Sequence, residues 1–416
     1  MCISNNRFFL STVVALALAL GMLTQLCPAA AGKAADGFSK AEVQAITPLL
    51  RRHGVVGLAE SKPGGAPKAM TLAVRVKGPR EEVFKVFENP ENFYYLSTLF
   101  KENEVLQQHD NNKAWSWASR HKLFSFTGTN TIALFPPRRA DVKIVDSTIG
   151  SGDFTFSLYP DGDTHTIVVL QGLLDVQTSE WLIRYLLGGN PSMRQAMNVA
   201  IGIVVVKGVK AMAERLVAGK GLDKHRTRGK AGGIPRKIRV KELEALAPLL
   251  VRGQVVITDS YRGGRLRQAT VIEVFDTPAK DILAAIGTPQ NYPKMIKAID
   301  EVTVHDASNP KMIDFSWSFG FSVFSLGSRN KMTEVEGGVL VEALEGDLAG
   351  GAWRWQVVPT AENRTVVAYH GYADIQKAGY ILKKTYKREP YLEHGIIAGS
   401  NMVMIRAVRK RLAKKK

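Results

Sequence analysis

The chain has 416 residues, 45% of them hydrophobic and 23% charged, which is typical of a globular protein and is enough for two domains with separate cores. Its only cysteines, Cys2 and Cys27, lie near the N-terminus, so the rest of the chain has no disulfide, no thiolate nucleophile and no metal site built on cysteine. Lysine and arginine outnumber aspartate and glutamate by 56 to 38, and the net charge of +18 favours a polyanionic partner, either nucleic acid or an anionic membrane surface.

Residues 1–31 have the pattern of a secretory signal peptide. An apolar stretch follows Arg7, and the small residues Ala29 and Ala31 follow that stretch. This order predicts cleavage after Ala31 and export to the periplasm, which disfavours nucleic acid as a partner. An uncleaved anchor in the cell envelope is the alternative, because the apolar stretch approaches the roughly 20 residues that span a bilayer. A lipoprotein signal at Cys27 fits less well, because the residue before it is not small.

The rest of the chain repeats itself at an offset of about 200 residues. The segment "AITPLL" at 45–50 returns as "ALAPLL" at 245–250. The segment "AWSWASRHKLFSFTGTN" ends at Asn130, and "DFSWSFGFSVFSLGSRN" ends at Asn330, with the Ser-Trp and Phe-Ser pairs aligned. The chain is therefore predicted to contain two copies of one structural unit.

The repeat sets the predicted domain boundaries. The first domain is expected at 36–218 and the second at 239–416, where it ends in a basic tail. The segment between them, 219–238, is rich in glycine, lysine and arginine and poor in apolar residues. That composition predicts a flexible linker.

Each copy is predicted to contain the same elements in the same order. A short amphipathic helix opens the copy, at 39–52 or 240–251, and a hairpin with a Gly-Gly turn follows it. Two short helices come after a proline that ends the second hairpin strand, and several alternating strands follow. The antiparallel strands and flanking helices make an α+β fold.

Each copy closes with a long apolar segment. In the first copy "AIGIVVVKG" has a β-branched run that could form a strand. In the second copy Leu392, Ile396, Val403 and Leu412 lie near helical spacing, so both segments are predicted to be helices. Each also contains a pair of glycines, and a helical glycine costs about 1 kcal/mol relative to alanine. Such pairs indicate that a sheet, partner or ligand approaches the helix closely.

Aromatic residues are the densest feature of the sequence. Phe315, Trp317, Phe319 and Phe321 alternate with serine and glycine, which predicts a strand with one wholly aromatic face. Such a face either packs as core or lines a cavity. Further candidates for lining are Trp115, Trp117, Phe154, Phe156, Trp353 and Trp355.

Signatures of catalysis are sparse. The sequence has no HExxH zinc helix, no GxSxG elbow, no Gly-rich phosphate loop and no carboxylate cluster with metal-ligand spacing, so no metal site and no cofactor is predicted. The pairs His109-Asp110 and His305-Asp306 are interpreted as exposed residues of polar turns between strands.

His370 is the one candidate for acid-base chemistry. It occupies the place in the last strand that Gln171 occupies in the first copy. A hydrogen-bonded or solvent-facing strand residue is the simpler interpretation, but an inward-facing His370 could orient a ligand or act as a general base. Gln171 cannot exchange protons, which argues against a catalytic role shared by the two copies.

The order of elements resembles a known family. The junctions "AVRVKGPREEVFKVFENPENF" and "VIEVFDTPAKDILAAIGTPQNY", followed by antiparallel strands and a long closing helix, resemble the START-like (SRPBCC) superfamily of polyketide cyclase/dehydrase, lipid transport and coenzyme Q-binding proteins. The resemblance implies two tandem helix-grip domains, each a curved antiparallel sheet wrapped around its C-terminal helix, with an apolar cavity between sheet and helix. The aromatic faces would then line the cavities.

The residues and the resemblance together lead to three functional expectations. The first is an exported protein that binds or transfers a hydrophobic small molecule, such as a lipid, quinone, sterol or polyketide, and that works at an anionic membrane surface. The alternative is a polyketide cyclase or aromatase with His370 and Arg354 as polar cavity groups. A third possibility is a scaffold that tethers partners through the linker and the tail.

Overall fold

The computed structural model of the protein describes residues 37–96, 100–121, 124–179, 190–223, 226–296, 299–309, 311–321, 324–361, 363–374 and 391–413, with the single residues 383, 386 and 389. The predicted signal segment 1–31 lies outside them. The chain divides into two compact units. The first unit ends at Thr227 and also includes Arg388–Ile396, and the second unit comprises Arg228–Lys387 and Ile397–Lys416.

The described elements of the first unit follow the predicted order. Its helices are α1 (Lys40–Leu50), α2 (Arg80–Glu88), a 3-10 turn (Pro90–Tyr95) and α3 (Pro191–Val217). Its strands are β1 (Val55–Ser61), β2 (Pro67–Lys77), β3 (Phe100–His109), β4 (Asn112–His121), β5 (Phe124–Phe135), β6 (Arg139–Ser147), β7 (Ser151–Pro160) and β8 (His165–Asp175).

The second unit repeats this arrangement. Its helices are α4 (Val240–Leu250), α5 (Ala279–Ile286), α6 (Tyr292–Met295) and, from Ile397 onward, α7 (Leu392–Ala413). Its strands are β9 (Gly253–Ser260), β10 (Leu266–Phe275), β11 (Ile299–Asn309), β12 (Met312–Phe321), β13 (Phe324–Val335), β14 (Gly338–Gly346), β15 (Ala352–Ala361) and β16 (Arg364–Tyr372).

Both sheets have the same antiparallel topology. In the first unit the strand order is β1-β2-β8-β7-β6-β5-β4-β3, and in the second it is β9-β10-β16-β15-β14-β13-β12-β11. The first hairpin therefore pairs with the last strand, and the remaining strands follow as a meander. The tight turn of the first hairpin depends on Gly64 and Gly65, whose φ angles of 86° and 87° suit glycine.

Local signals in the sequence explain where the helices begin. Ser39 and Glu42 form a reciprocal capping box at the start of α1. Pro79 and Pro278 immediately precede α2 and α5, where an extended proline ends the strand and leads into the helix. Asn190 caps α3 by accepting hydrogen bonds from the backbone N–H groups of Ser192 and Met193.

The closing segments are helices, as predicted, and each packs on its own sheet. In α3, Gly202 lies against Met70 and Leu72 of β2, where a larger side chain would collide with both. Asn198 ties α3 to the sheet, because its side chain accepts from Leu174 N (2.6 Å) and donates to Leu174 O (3.0 Å). In the second unit Asn401 of α7 donates to Ala269 O of β10 at 3.0 Å.

Helix α3 is long and apolar enough to cross a bilayer, and among the described residues no other helix meets that test. In its most apolar stretch 83% of the residues are buried inside the protein. Its apolar residues face the core on nearly every side, and a fully buried Val, Ile or Met side chain contributes about 1.5–3 kcal/mol. Helix α3 is therefore accounted for as a core helix.

Two predictions about loops need correction. His305 and Asp306 are exposed, as predicted, but they lie within β11 and not in a turn. Strand β11 is at one end of the unit's strand order, and its pairing with β12 is irregular between Val304 and Asp306. An edge strand with an irregular register tolerates polar residues that sequence alone assigns to a turn.

The second half of the predicted linker is part of the second unit. Arg228 N donates to Gly263 O, Gly232 N donates to Leu266 O, and the hydroxyl of Tyr261 donates to Gly232 O at 2.6 Å. Residues 228–238 thus run beside the β9-β10 hairpin. Glycines and charged residues predict flexibility from composition, but they do not exclude backbone hydrogen bonds to a neighbouring hairpin.

Candidate functional site

An apolar cavity lies between the sheet and α3 in the first unit. Its volume is about 60 Å³. The residues around it come from β2 to β8, α3 and the 3-10 turn with the residue that follows it. No lysine, arginine, histidine, aspartate or glutamate is among them. They include the four predicted aromatics of this unit, Trp115, Trp117, Phe154 and Phe156.

Strand alternation brings these aromatics to one face. On β4, Trp115 and Trp117 are two residues apart, and both are buried. On β7, Phe154 stands opposite Gly172 of β8, and a side chain added at Gly172 would collide with the Phe154 ring. Gly172 therefore makes room for Phe154, as Gly202 makes room on the helix side.

One polar side chain at this cavity lacks hydrogen-bond partners among the described residues. Asn130 of β5 lies directly opposite Trp115 and is fully buried. Neither its Oδ1 nor its Nδ2 has a hydrogen-bond partner among the described residues. Asn103, the other amide at the cavity, donates to Pro90 O at 2.9 Å. The sequence alone does not identify Asn130 as a site residue, because the second copy also has an asparagine at the matching place.

A β-bulge accompanies Asn130. The pairing of β5 with β6 shifts register between Thr129 and Asn130, and the pairing of β13 with β14 shifts at the matching place, between Arg329 and Asn330. Such bulges are frequent beside functional sites, where they re-aim a side chain.

In the second unit the matching asparagine is satisfied. Asn330 accepts a hydrogen bond from Ser328 Oγ at 3.0 Å and donates to Ser328 O at 2.9 Å. Ser328 Oγ in turn accepts from Trp317 Nε1 at 2.6 Å. The first copy has Gly128 where the second has Ser328, so it lacks the hydroxyl that completes this network.

The aromatic residues of the second unit contact one another. Trp317 lies 5.6 Å from Phe315, 6.0 Å from Tyr292 and 5.5 Å from Trp353, measured between ring centroids. The centroids of the Trp355 and Tyr369 rings are 4.2 Å apart, and the ring planes are tilted by 37°. Phe315, Trp317, Trp353 and Trp355 are therefore buried and in contact with neighbouring rings, and their role in lining a ligand site stays a prediction. The side chains of Phe319 and Phe321 lie outside those that the structure describes.

His370 and Arg354, the alternative catalytic pair, lie on the other face of the sheet. They stand opposite each other on β16 and β15, one residue along from the pair Trp353 and Gly371. A side chain added at Gly371 would meet Asn401 of α7, so Trp353 and Gly371 are on the helix side. Because neighbouring strand residues point to opposite faces, His370 and Arg354 point away from the gripped helix.

His370 belongs to a buried hydrogen-bonded network on that outer face. Gln356 accepts from Ile238 N at 3.0 Å and donates to Ile238 O at 3.1 Å, which fixes the orientation of its amide. His370 Nε2 therefore donates to Gln356 Oε1 (3.1 Å), and His370 Nδ1 accepts from Thr270 Oγ1 (2.9 Å). Burial, with a further effect of the Arg354 charge, lowers the pKa of His370 to about 3. A ring that is neutral and fully bonded is a structural residue here, not a cavity base.

Other sites offer less. A groove of about 340 Å³ in the second unit lies between α5 and strands β12 to β14, but its lining includes Lys311 and Glu334 and none of the aromatic candidates. Within the described part of the chain, no cluster of three or more His, Cys, Asp or Glu side chains could hold a metal ion.

The sequence matches no protein-family model and no curated protein. Among solved structures, the chain is similar to the di-domain aromatase/cyclase StfQ from the steffimycin biosynthetic pathway, at 13% identity over 83% of this chain and 98% of that chain, with a TM-score of 0.30. It is similar to the Zhui aromatase/cyclase from Streptomyces sp. R1128, at 18% identity over 37% and 99% of the two chains, with a TM-score of 0.31. It is also similar to a STAR-related lipid transfer protein from Xanthomonas axonopodis, at 15% identity over 38% and 93%, with a TM-score of 0.30.

The topology of the chain itself defines the fold. Each unit begins with a helix and a hairpin, continues through two short helices at a proline junction and a six-stranded meander, and ends in a long helix that packs on the first hairpin and the last strand. Each of the two units therefore has the START-like, helix-grip fold that the sequence predicts.

Proposed function

We propose that the protein is an exported carrier that binds a hydrophobic small molecule in the first unit. The observation that carries this proposal is the cavity under α3, which is lined by Trp115, Trp117, Phe154 and Phe156 and by no charged side chain. Burying each methylene of a ligand there contributes about 0.8 kcal/mol, so an apolar molecule of moderate size gains useful affinity even after the costs of association.

The volume of the cavity sets a condition on binding. At about 60 Å³ it is far below the 300–1,000 Å³ of common ligand pockets. A lipid-sized molecule therefore requires α3 and the strands facing it to move apart. We expect binding to be slow compared with that of an open pocket and to be accompanied by repacking of Met70 and Leu72 against Gly202.

A cyclase or aromatase activity is the alternative function. Its candidate cavity groups are His370 and Arg354, and both lie on the face of their sheet that points away from α7. Analysis of the bound molecule discriminates the two functions, because a carrier releases its ligand unchanged, whereas an enzyme converts it on incubation.

The experiment is extraction of the native protein with organic solvent, followed by mass spectrometry. We expect one apolar compound at up to one equivalent per chain. In Gly202→Leu a side chain enters the cavity against Met70 and Leu72, and the bound amount should fall at least tenfold, at an overpacking cost of about 1–3 kcal/mol.

Trp317→Leu is the matched control, since it disturbs the aromatic core of the second unit. It should lower stability by a few kcal/mol and leave the bound compound unchanged. Equal loss of the compound in both variants, or no compound in the wild-type protein under any growth condition tested, would contradict the proposal.

A further inference from the structure

The two copies differ at one position that changes the chemistry of the gripped face. Asn130 and Asn330 occupy equivalent bulged positions, each facing the aromatic pair of the preceding strand. Ser328 satisfies Asn330, and it also accepts a hydrogen bond from Trp317. Gly128, which stands directly opposite Trp117, offers no side chain to Asn130.

A buried amide without partners is costly, because its donors and acceptor have left water and gained nothing in exchange. Asn130 has two N–H donors and a carbonyl acceptor, all at the wall of an apolar cavity and none of them bonded within the described residues. A residue that weakens the folded protein in this way is explained if a ligand completes its hydrogen bonds.

We propose that Asn130 is the polar anchor of the first unit, and that its ligand is an uncharged, largely apolar molecule carrying a hydroxyl or carbonyl group. The anchor can donate to a carbonyl oxygen or accept from a hydroxyl. The second unit carries no equivalent anchor, because its asparagine is already bonded internally. This inference rests on the proposed function of the first unit and narrows its ligand.

The lining excludes a charged head group at this depth. No cationic or anionic side chain borders the cavity, so a carboxylate or phosphate placed beside Asn130 would lose its hydration without a counter-charge. Sterol-like alcohols, quinones and neutral polyketides satisfy the requirement, whereas a fatty acid entering head first does not.

The test uses three naphthalene probes of similar shape: 2-naphthol, 2-methylnaphthalene and 2-naphthoate. Binding of each to the full mature chain is measured by calorimetry at neutral pH. We expect 2-naphthol and 2-methylnaphthalene to bind at one site and 2-naphthoate to bind at least tenfold more weakly than 2-naphthol.

Variants identify the anchor. In Asn130→Leu the ratio of the two dissociation constants should shift about tenfold toward 2-methylnaphthalene, which is the effect of losing one buried hydrogen bond. Gly128→Ser should shift the ratio in the same direction, because a serine hydroxyl there can donate to Asn130 Oδ1 as that of Ser328 donates to Asn330 Oδ1. Asn330→Leu is the matched control and should leave the ratio unchanged.

Thermal unfolding gives a second readout that does not depend on binding. Asn130→Leu removes an unbonded amide and should raise the midpoint of the first unit by about 2–4 °C, whereas Asn330→Leu breaks existing bonds and should lower that of the second. If both probes bind and no variant changes their ratio, the anchor is wrong although apolar binding stands. If no probe binds and solvent extracts no compound, the proposed function itself fails, and this inference fails with it.

Discussion

His370 is fully buried, and burial, with a further effect of the Arg354 charge, keeps its ring neutral by lowering its pKa. In the neutral ring Nε2 donates to Gln356 and Nδ1 accepts from Thr270. Its pKa is about 3 in the folded protein, against an ordinary value of 6.5. The unfolded chain therefore takes up a proton near pH 6.5, whereas the folded chain does so only near pH 3. Stability from this residue is complete above pH 6.5 and is lost as the pH falls toward 3.

This difference predicts an acid sensitivity that one substitution removes. Between pH 7 and pH 5 the wild-type second unit should lose about 2 kcal/mol through His370 alone, at about 1.4 kcal/mol per pH unit below 6.5. His370→Gln places there the residue found at position 171 of the first copy, which does not titrate. Urea unfolding gives the free energy of unfolding of both proteins at both pH values. The value for the wild type minus that for the variant should fall by about 2 kcal/mol from pH 7 to pH 5. An unchanged difference would contradict the assignment.

Asn130 marks the limit of what single residues reveal in a sequence. The aromatics of the first unit could be predicted as cavity residues from their spacing, and the structure brings Trp115, Trp117, Phe154 and Phe156 to one cavity. Asn130 could not be predicted as a cavity residue, because an asparagine present in both copies does not show whether its side chain is hydrogen-bonded. The informative difference, Gly128 against Ser328, lies two residues away and becomes meaningful only when the register of β4 on β5 is known.

At the scale of elements, the segment 236–238 is fixed to the sheet by two amides. Gln268 accepts from Arg236 N at 2.8 Å and donates to Arg236 O at 3.1 Å, and Gln356 bonds Ile238 in the same two-way manner. Backbone groups bonded in this way mimic the pairing of an additional strand without being one. Composition predicted a flexible linker here because the sequence does not show which distant glutamines meet this backbone.

Gln356→Leu tests that attachment. The variant leaves Ile238 N and O and His370 Nε2 without their partner, and each buried group left unbonded costs about 1–3 kcal/mol. Ile238 should therefore detach, and the segment 236–238 should be held by Gln268 alone. Trypsin should then cleave after Arg236 and Lys237 at least tenfold faster than in wild type. Near-ultraviolet circular dichroism must show that the aromatic core of the second unit is intact. An unchanged cleavage rate in a folded variant would mean that Gln356 does not hold the segment.

The helices and strands themselves were largely predictable, because each is specified by local patterns that both copies share. The closing segment of the first copy was ambiguous by itself, since its run of valines suits a strand, and the second copy resolved it as α3. The residues that pack against the aromatic faces could not be predicted. Tyr292 fills the space beside Phe315 and Trp317, and such a contact between distant segments follows from packing in three dimensions.

At the scale of the whole molecule, the net charge of +18 favours a polyanionic partner. We expect that partner to be an anionic membrane, from which the protein takes up its hydrophobic ligand. The exposed cations of the linker and closing helix are the basis of this expectation: Lys220, Arg226, Arg228, Lys230, Lys410 and Arg411. Arg409 is excluded because it pairs with the buried Glu273. Substitution tests these cations better than deletion of the C-terminal residues, because a deletion there would also remove the core residues Val408 and Leu412.

Removing the charges at those six positions should weaken membrane binding more than removing six other exposed positive charges does. Each lysine or arginine near an anionic surface contributes about 1 kcal/mol, so replacing all six with glutamine should abolish co-sedimentation with phosphatidylserine-containing vesicles at low salt. The wild-type protein should bind such vesicles, release them at 1 M salt, where the Debye length is about 3 Å, and ignore neutral vesicles. A matched control replaces six other exposed cations: Lys62, Lys77, Lys143, Lys241, Arg262 and Lys280. Because both variants carry the same net charge, equal loss of binding would show that only the overall charge matters, and undiminished binding of the first variant would show that these cations do not contact the membrane.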